Sequence, residues 1–337
     1  MNIKKAIRWE FWPYWLFYTP VYFYYLYLAL KLKSLGFIAA ANPVMDFGGF
    51  VEYSKYDILR LLPEKNIPKT VYIEEAFSVE EILKRMSEKG ISFPIILKPN
   101  RGERGWGVEK LNSPEQVSSY LSRLNRDLIL QEYVTELNEY GFLYCRFPGE
   151  PRGTLTSLVI KELLTVTGDG HSTVLELCRQ NERTQYHWET LQNTYSPEFF
   201  SSVPEAGYRV PLLESGNHCR GATFYDGNSL ITEKHIEVLD RIATGIEGFY
   251  IGRFDIRTKS LKAIEEGDFK IIELNGANSE PAHIYDPDNS LSRAYSDLFA
   301  HWRRMYRVCQ ENMQQGFVPP RGREVFRAIV DHNKRKR

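Results

Sequence analysis

The sequence predicts an α+β chain with antiparallel or mixed sheets, and three observations predict it. Strand-like runs alternate with helix-like runs along most of the length. Several strand pairs are joined by short polar connectors containing glycine, which suit hairpins rather than the long crossovers of parallel sheets. The segments "YIGRFDIRT" (250–258) and "FKIIELNGANSEP" (269–281) show both features together. Each alternates apolar with polar positions, and only the polar "KSLKAIEEGD" separates them, which predicts two adjacent antiparallel strands joined by a slightly long loop.

The first element is unusual. Residues 11–30, "FWPYWLFYTPVYFYYLYLAL", hold eleven aromatics and no charge. Thr19 before Pro20 reads as a cap and first helical residue, and Gly36 as the residue past the end, so a helix is expected over 20–35. Such a helix is about 24 Å long, short of the roughly 30 Å hydrocarbon core of a bilayer. Spanning is therefore not expected, and no small-residue cleavage site marks a signal peptide. Lys4, Lys5, Arg8, Lys31 and Lys33 flank the stretch. Two readings stand: residues 11–35 lie on an inner membrane leaflet as an interfacial helix, or they pack on the rest of the chain or at a homodimer interface.

Next comes a glycine-containing loop and a helix from about Ser54 to Leu62, closed by Pro63. A strand-and-helix unit begins near Lys69, and "SVEEILKRMSEK" is a helix capped by Ser78, with Glu80 and Glu81 in its first turn. "FPIILKPN" reads as a buried strand and "GVEKL" as a second one across a glycine-rich loop. After the helix "SPEQVSSYLSRLN" come the strands "DLILQEYV", "YGFLYCRF" and "TSLVIKELL", then the capped helix "STVLELCRQNER". The helix "EKHIEVLDRIATGI" leads into "YIGRFDIR". The chain closes on "PPRGREVFRAIVDHNKRKR", a basic tail read as solvated.

A chain of 337 residues has room for two or more lobes. Lys plus Arg equals Asp plus Glu at 43 each, so no global field draws nucleic acid, and none is expected as a partner. Cys145, Cys178, Cys219 and Cys309 are scattered with no C-x-x-C spacing, which argues against zinc and for a reducing, cytoplasmic setting.

The chemistry concentrates in the strand pair. Glu273 and Asn275, two residues apart, present oxygens to one face, and a paired neighbour brings Asp255 opposite Glu273 with Arg253 and Arg257 on the same side. Hard oxygens of this kind suit Mg²⁺ completed by substrate phosphates. A solvated hairpin face is the alternative reading of the pair alone.

Taken with these strands, several motifs resemble the ATP-grasp superfamily, specifically its D-alanine–D-alanine ligase-like and cyanophycin-synthetase-like carboxylate–amine ligases. The resemblance runs from about Lys55 to Pro281. Lys98 ends an apolar strand before "NRGERGWGV", as does the family's phosphate-contacting lysine before its glycine loop. Gly102, Gly105 and Gly107 would admit backbone N–H groups to the anion, and Arg101 and Arg104 would add charge. Lys55 stands where the family has a second phosphate lysine. Glu132 and Glu139 have the spacing of the adenine-hinge and ribose carboxylates, with Tyr133 and Val134 in the hinge. Asp255, Glu273 and Asn275 match the ligands of two Mg²⁺ ions, with Mn²⁺ as a substitute, and Arg253 the arginine acting on the reacting carbonyl. Lys161 is placed like a lysine reaching the γ-phosphate. His171, Arg183, His218 and Arg220 are candidates for gripping substrate.

The resemblance thus implies an ATP-grasp fold over 67–310, an aromatic-rich helical segment over 1–66 and a basic tail over 311–337. It implies amide formation from a small-molecule carboxylate and an amine, through an acylphosphate. A kinase acting on a hydroxyl and a non-catalytic nucleotide-binding membrane adaptor are the rivals. The stretch before Lys55 is too short and aromatic for the family's usual substrate-binding domain, and "GANSEPAHIYDP" departs from the D-alanine ligase pattern.

Overall fold

Two antiparallel sheets organise the chain. A computed structural model describes residues 9–51, 53–74, 77–102, 105–124, 126–136, 138–213 and 221–335. Among them the smaller sheet has the order β1–β4–β2–β3, built from β1 (Thr70–Ile73), β2 (Ile95–Pro99), β3 (Glu109–Leu111) and β4 (Leu128–Glu132). The larger has the order β11–β10–β5–β6–β9. Its strands are β5 (Asn138–Cys145), β6 (Thr154–Glu162), β9 (Thr223–Asp226), β10 (Ile251–Thr258) and β11 (Lys270–Asn275). A separate ribbon pairs β7 (Thr165–Thr167) with β8 (Arg209–Pro211).

The aromatic stretch forms α1 (Tyr14–Leu32), which starts six residues before the position expected. Pro13 precedes its first turn, and Pro20 lies inside the helix. The cost of Pro20 is limited because the carbonyl it leaves without a donor, that of Leu16, belongs to an exposed residue. Thr19 does not cap the helix, since its hydroxyl donates to the Trp15 carbonyl instead. The helix closes at Lys33 in the left-handed region rather than at Gly36. Gly36 is needed for a different reason: a Cβ there would stand 2.1 Å from the Pro320 carbonyl oxygen.

The short α2 (Lys55–Leu59) follows, N-capped by Ser54. Then α3 (Val79–Lys89), with the expected capping box of Ser78 and Glu81, and α4 (Pro114–Arg123), capped by Ser113, cover the small sheet. Ile82, Met86, Val117 and Tyr120 bury against Ile95, Leu97, Leu128 and Leu130 there. Four short helices follow, α5 (Val174–Gln180), α6 (Glu182–Tyr186), α7 (Trp188–Thr194) and α8 (Pro197–Ser201), of which α5, α7 and α8 build a satellite core with β7 and β8.

The large sheet has two unlike faces. Phe142, Phe254, Ile256, Ile271 and Leu274 pack under α9 (Glu233–Thr244), whose Leu239, Ile242 and Ala243 complete the main core. The other face carries the charged residues Glu139 of β5, Lys161 of β6, Arg253, Asp255 and Arg257 of β10, and Glu273 of β11. The β10–β11 connector, expected as a plain loop, contains α10 (Leu261–Glu265), capped by Ser260.

Two C-terminal helices complete the chain. The long α11 (Leu291–Gln314) buries Ala294 and Leu298 against Phe17, Tyr18 and Val21 of α1, and Met305 and Val308 against Phe37 and Ile38. The segment read as a solvated basic tail contains α12 (Gly322–Arg335). Cys145, Cys178 and Cys309 are buried free thiols, and no described helix is long and apolar enough to cross a membrane.

Candidate functional site

Strand alternation builds the charged face. On β10, Phe254 and Ile256 go to the core, so Arg253, Asp255 and Arg257 go to the other side. The register sets Asp255 opposite Glu273 and Arg253 opposite Asn275 on β11, with a bulge between Asp255 and Ile256. On the other flank of β10, Gly141 of β5 faces Asp255 and Glu139 faces Arg257. One strand further, Lys161 of β6 faces Glu139.

The side chains converge. Arg253 donates to both Asp255 oxygens, Nε to Oδ1 at 2.8 Å and Nη2 to Oδ2 at 3.1 Å. Lys161 Nζ lies 2.9 Å from Glu139 Oε1 and 3.0 Å from Asp255 Oδ1, and Arg257 Nε lies 3.2 Å from Glu139 Oε2. Asn275 donates to Asp255 Oδ2 at 3.2 Å and accepts the Tyr53 hydroxyl at 2.9 Å. Gly141 is what lets this set close: a Cβ there would stand 3.1 Å from Arg253 Cδ, 3.2 Å from Asp255 Oδ1 and 2.7 Å from Val159 Cγ1.

Two lysines reach the same face from outside the large sheet. Lys98 on β2 donates to the Ile272 carbonyl at 3.1 Å, and Lys55, first residue of α2, meets Glu273 Oε1 at 2.9 Å. Asn100 fixes α2 against the glycine loop by accepting from the Ser54 hydroxyl and the Tyr56 amide.

Among the described residues, five cations (Lys55, Lys98, Lys161, Arg253, Arg257) thus surround three carboxylates (Glu139, Asp255, Glu273), an excess of two positive charges. Burial pulls Lys98, Lys161, Arg253, Arg257, Glu139, Asp255 and Glu273 toward neutrality. For Asp255, Arg253 and Lys161 overcome it and hold the carboxyl at about 2. Glu139 is likewise kept low by Lys161 and Arg257, and Glu273 by Lys55 and Lys98. Lys161 is raised against burial by Asp255 and Glu139. Lys98 is the exception, because burial wins and takes it down to about 8.

The other predicted residues are placed less centrally. Glu139 is a strand residue, and its two oxygens accept from Lys161 and Arg257. Glu132 ends β4 and accepts the Lys69 amide, while the Val134 carbonyl accepts from Arg257 and Tyr133 lies under Lys110. Gly105 and Gly107 take left-handed conformations, and Gly102 offers its carbonyl to Lys55. Arg101 pairs with Asp46 at 3.2 Å. His171 sits exposed on a turn, held by Asp169. Arg183 donates to the Gly221 and Ala222 carbonyls, so much of its guanidinium serves the fold. Arg104, His218 and Arg220 lie outside the described residues.

Other residues of note carry no sequence motif of their own. Glu280, five residues after Asn275, has an oxygen, Oε2, buried without a hydrogen-bond partner, and burial pushes its carboxyl up to about 7. Ser157, His283 and Asp297 form a chain at 2.7 and 3.1 Å, but Ser157 is fully buried in β6, so this is a structural tie rather than a nucleophile. A cavity of about 420 Å³ lined by Leu62, Arg241, Ile242 and Phe269 shares no residue with the charge cluster.

The donors fit Mg²⁺. Asp255 and Glu273 are ionised hard ligands at paired positions, with the Asn275 amide beside them. Among the described residues no three His, Cys, Asp or Glu side chains converge as a cage. An ion that takes most of its ligands from phosphate and water suits such a set.

No family model and no curated protein matches the chain. Solved structures similar to it include a bifunctional glutathione synthetase from Pasteurella multocida, 16% identical with TM-score 0.37, over 76% of this chain and 38% of that one. A D-Ala:D-Ser ligase from Enterococcus faecalis is 14% identical with TM-score 0.42, over 75% of this chain and 61% of that one. A D-alanine–D-alanine ligase from Bacillus anthracis, complexed with ATP, is 12% identical with TM-score 0.40, over 77% and 66%. The chain spans less than two thirds of the length of each of these three.

Proposed function

We propose that the chain is an ATP-dependent carboxylate–amine ligase that forms an amide through an acylphosphate and releases ADP and phosphate. The observation that carries this reading is the buried face on which Arg253, Asp255, Glu273 and Asn275 occupy paired strand positions beneath Lys55, Lys98 and Lys161. Two anions, a carboxylate and a triphosphate, must meet for phosphoryl transfer, and a buried excess of positive charge lowers their repulsion.

Lys55, Lys98 and Lys161 bind the phosphates, with the backbone N–H groups at Gly102, Gly105 and Gly107 turned to the anion. Glu132 and the backbone at Tyr133 and Val134 line the nucleoside. Asp255, Glu273 and Asn275 would hold Mg²⁺, one or two ions, which when bound neutralises phosphate oxygens and polarises the transferred group. Glu139 keeps Lys161 and Arg257 in place. The substrate carboxylate attacks the γ-phosphorus, the β–γ oxygen bridge breaks, and ADP leaves. The amine then attacks the acyl carbon, Arg253 stabilises the negative charge that develops on the carbonyl oxygen, phosphate departs and the amine loses a proton.

The test is ADP release across a panel of acids and amines, which should require both. Hydroxylamine should trap the acylphosphate as a hydroxamate, whereas a kinase product, a phosphate ester, would not react. Glu273→Ala should abolish turnover, and turnover that survives it would overturn the assignment.

A further inference from the structure

The outer face of α1 is apolar and uncovered. Trp15, Phe23 and Leu30 are 65%, 70% and 76% exposed, and Tyr22, Leu26 and Tyr27 are exposed beside them. Their spacings of three, four and seven residues put them on one stripe. The opposite stripe, with Phe17, Val21 and Leu28, is buried on the body of the protein. A helix packed along its length on one side cannot cross a bilayer, but it can lie in one.

Charge says what covers the stripe. Residues 11–35 contain no Asp or Glu, and the cations among them, Lys31 and Lys33, are both exposed. Lys31 sits over the Tyr27 and Tyr306 rings. The start of α12 adjoins the same end of α1, since a Cβ on Gly322 would touch Leu35 and one on Gly36 would touch Val325. There Arg321, Arg323 and Arg327 are exposed and outnumber the exposed carboxylate of Glu324, and Phe326 is 66% exposed between them. Tyrosine, tryptophan and basic side chains around an apolar stripe match the headgroup zone of an anionic bilayer, where rings sit at the acyl boundary and cations meet phosphates.

We propose that α1 and the start of α12 form one docking surface for an anionic lipid bilayer, holding the protein on the membrane with α1 lying in its plane. The test is co-sedimentation of the full chain with vesicles of phosphatidylcholine alone and of phosphatidylcholine with phosphatidylglycerol, at low and high salt. Binding to the anionic vesicles is expected, weakened by salt. Phe23→Glu with Leu30→Glu should cut it by at least about tenfold, since each side chain removes apolar area from water on insertion. Arg323→Glu with Arg327→Glu should remove the preference for anionic lipid. Both pairs are exposed, so unchanged circular dichroism is expected. Absence of vesicle binding by the parent chain would overturn the proposal. So would a dimer in sedimentation velocity that Phe23→Glu with Leu30→Glu dissolves, because a second copy would then own the face.

Discussion

Replacing Glu280 by glutamine should make the protein more stable, and by an amount that depends on pH. The carboxyl is raised from an ordinary 4.5 to about 7, first by burial, with the Tyr285 hydrogen bond acting weakly the other way. Between those values the native chain binds a proton that the unfolded chain does not, so stability falls as pH rises through that window. The favourable contribution is complete below the unfolded value and lost above the folded one. At about 1.4 kcal/mol per pH unit, keeping this group ionised above about pH 7 costs roughly 3 kcal/mol. Glutamine has nearly the same shape and cannot ionise. Urea unfolding at constant m should therefore show parent and variant within about 0.5 kcal/mol near pH 4.5 and the variant ahead by roughly 2–3 kcal/mol near pH 8. A difference that stays flat across that range would refute the burial argument. A variant that gains stability but loses turnover would mark Glu280 as a group retained for chemistry.

Lys161→Met should destabilise by about 3–5 kcal/mol in the same unfolding assay, because Glu139 and Asp255 lose a buried cation that both contact. Smaller loss would mean that Arg253 and Arg257 suffice. Lys98, lowered to about 8, should take up a proton when a nucleotide phosphate arrives, so affinity should fall as pH rises above about 8, by at most about tenfold per unit. Calorimetry in buffers of different ionisation enthalpy reads that uptake, and Lys98→Gln should remove it.

The strand pair was legible because its signal is local. Alternation in 250–258 and the two-residue spacing of Glu273 and Asn275 fix which of these side chains share a face, and a single polar connector fixes the pairing, so Asp255 opposite Glu273 follows from neighbouring residues, while the bulge beyond them does not. What depended on the next strand was not legible. Gly141 looks like any strand glycine until β5 is laid beside β10, and then its missing Cβ is what admits Arg253 and Asp255. The place of Glu139 in the sheet is equally hidden, because polar Asn138 and Glu139 open β5 and only their pairing with β10 draws them into it. The start of α1 was misplaced because Thr19–Pro20 has the form of a cap, whereas Pro13 already provides the entry. The long α11 went unread although Ser290 caps it and Ala294, Leu298, Met305, Val308 and Cys309 keep a helical period. The charge of Arg183 suggests a grip on substrate, and charge does not reveal that backbone carbonyls hold it.

The energetics of the charged face argue for a bound anion. Burying ion pairs seldom gains stability over apolar packing, since desolvation offsets most of the attraction. A face kept only for the fold would at least balance its charges. Here Asp255 takes Arg253, Lys161 and Asn275, and Glu139 takes Lys161 and Arg257, so each of these carboxylates is already paired with more than one donor. Lys98 is left with a backbone carbonyl as its hydrogen-bond partner and with burial drawing its proton away. A lysine in that state is stabilised by whatever negative charge approaches it. Across from it, Lys55 shares the Glu273 carboxylate that the proposed ion would need. Arrival of a phosphate would let Lys55 exchange one anion for another and turn Glu273 toward the metal, which ties nucleotide and ion binding to a single rearrangement of two side chains.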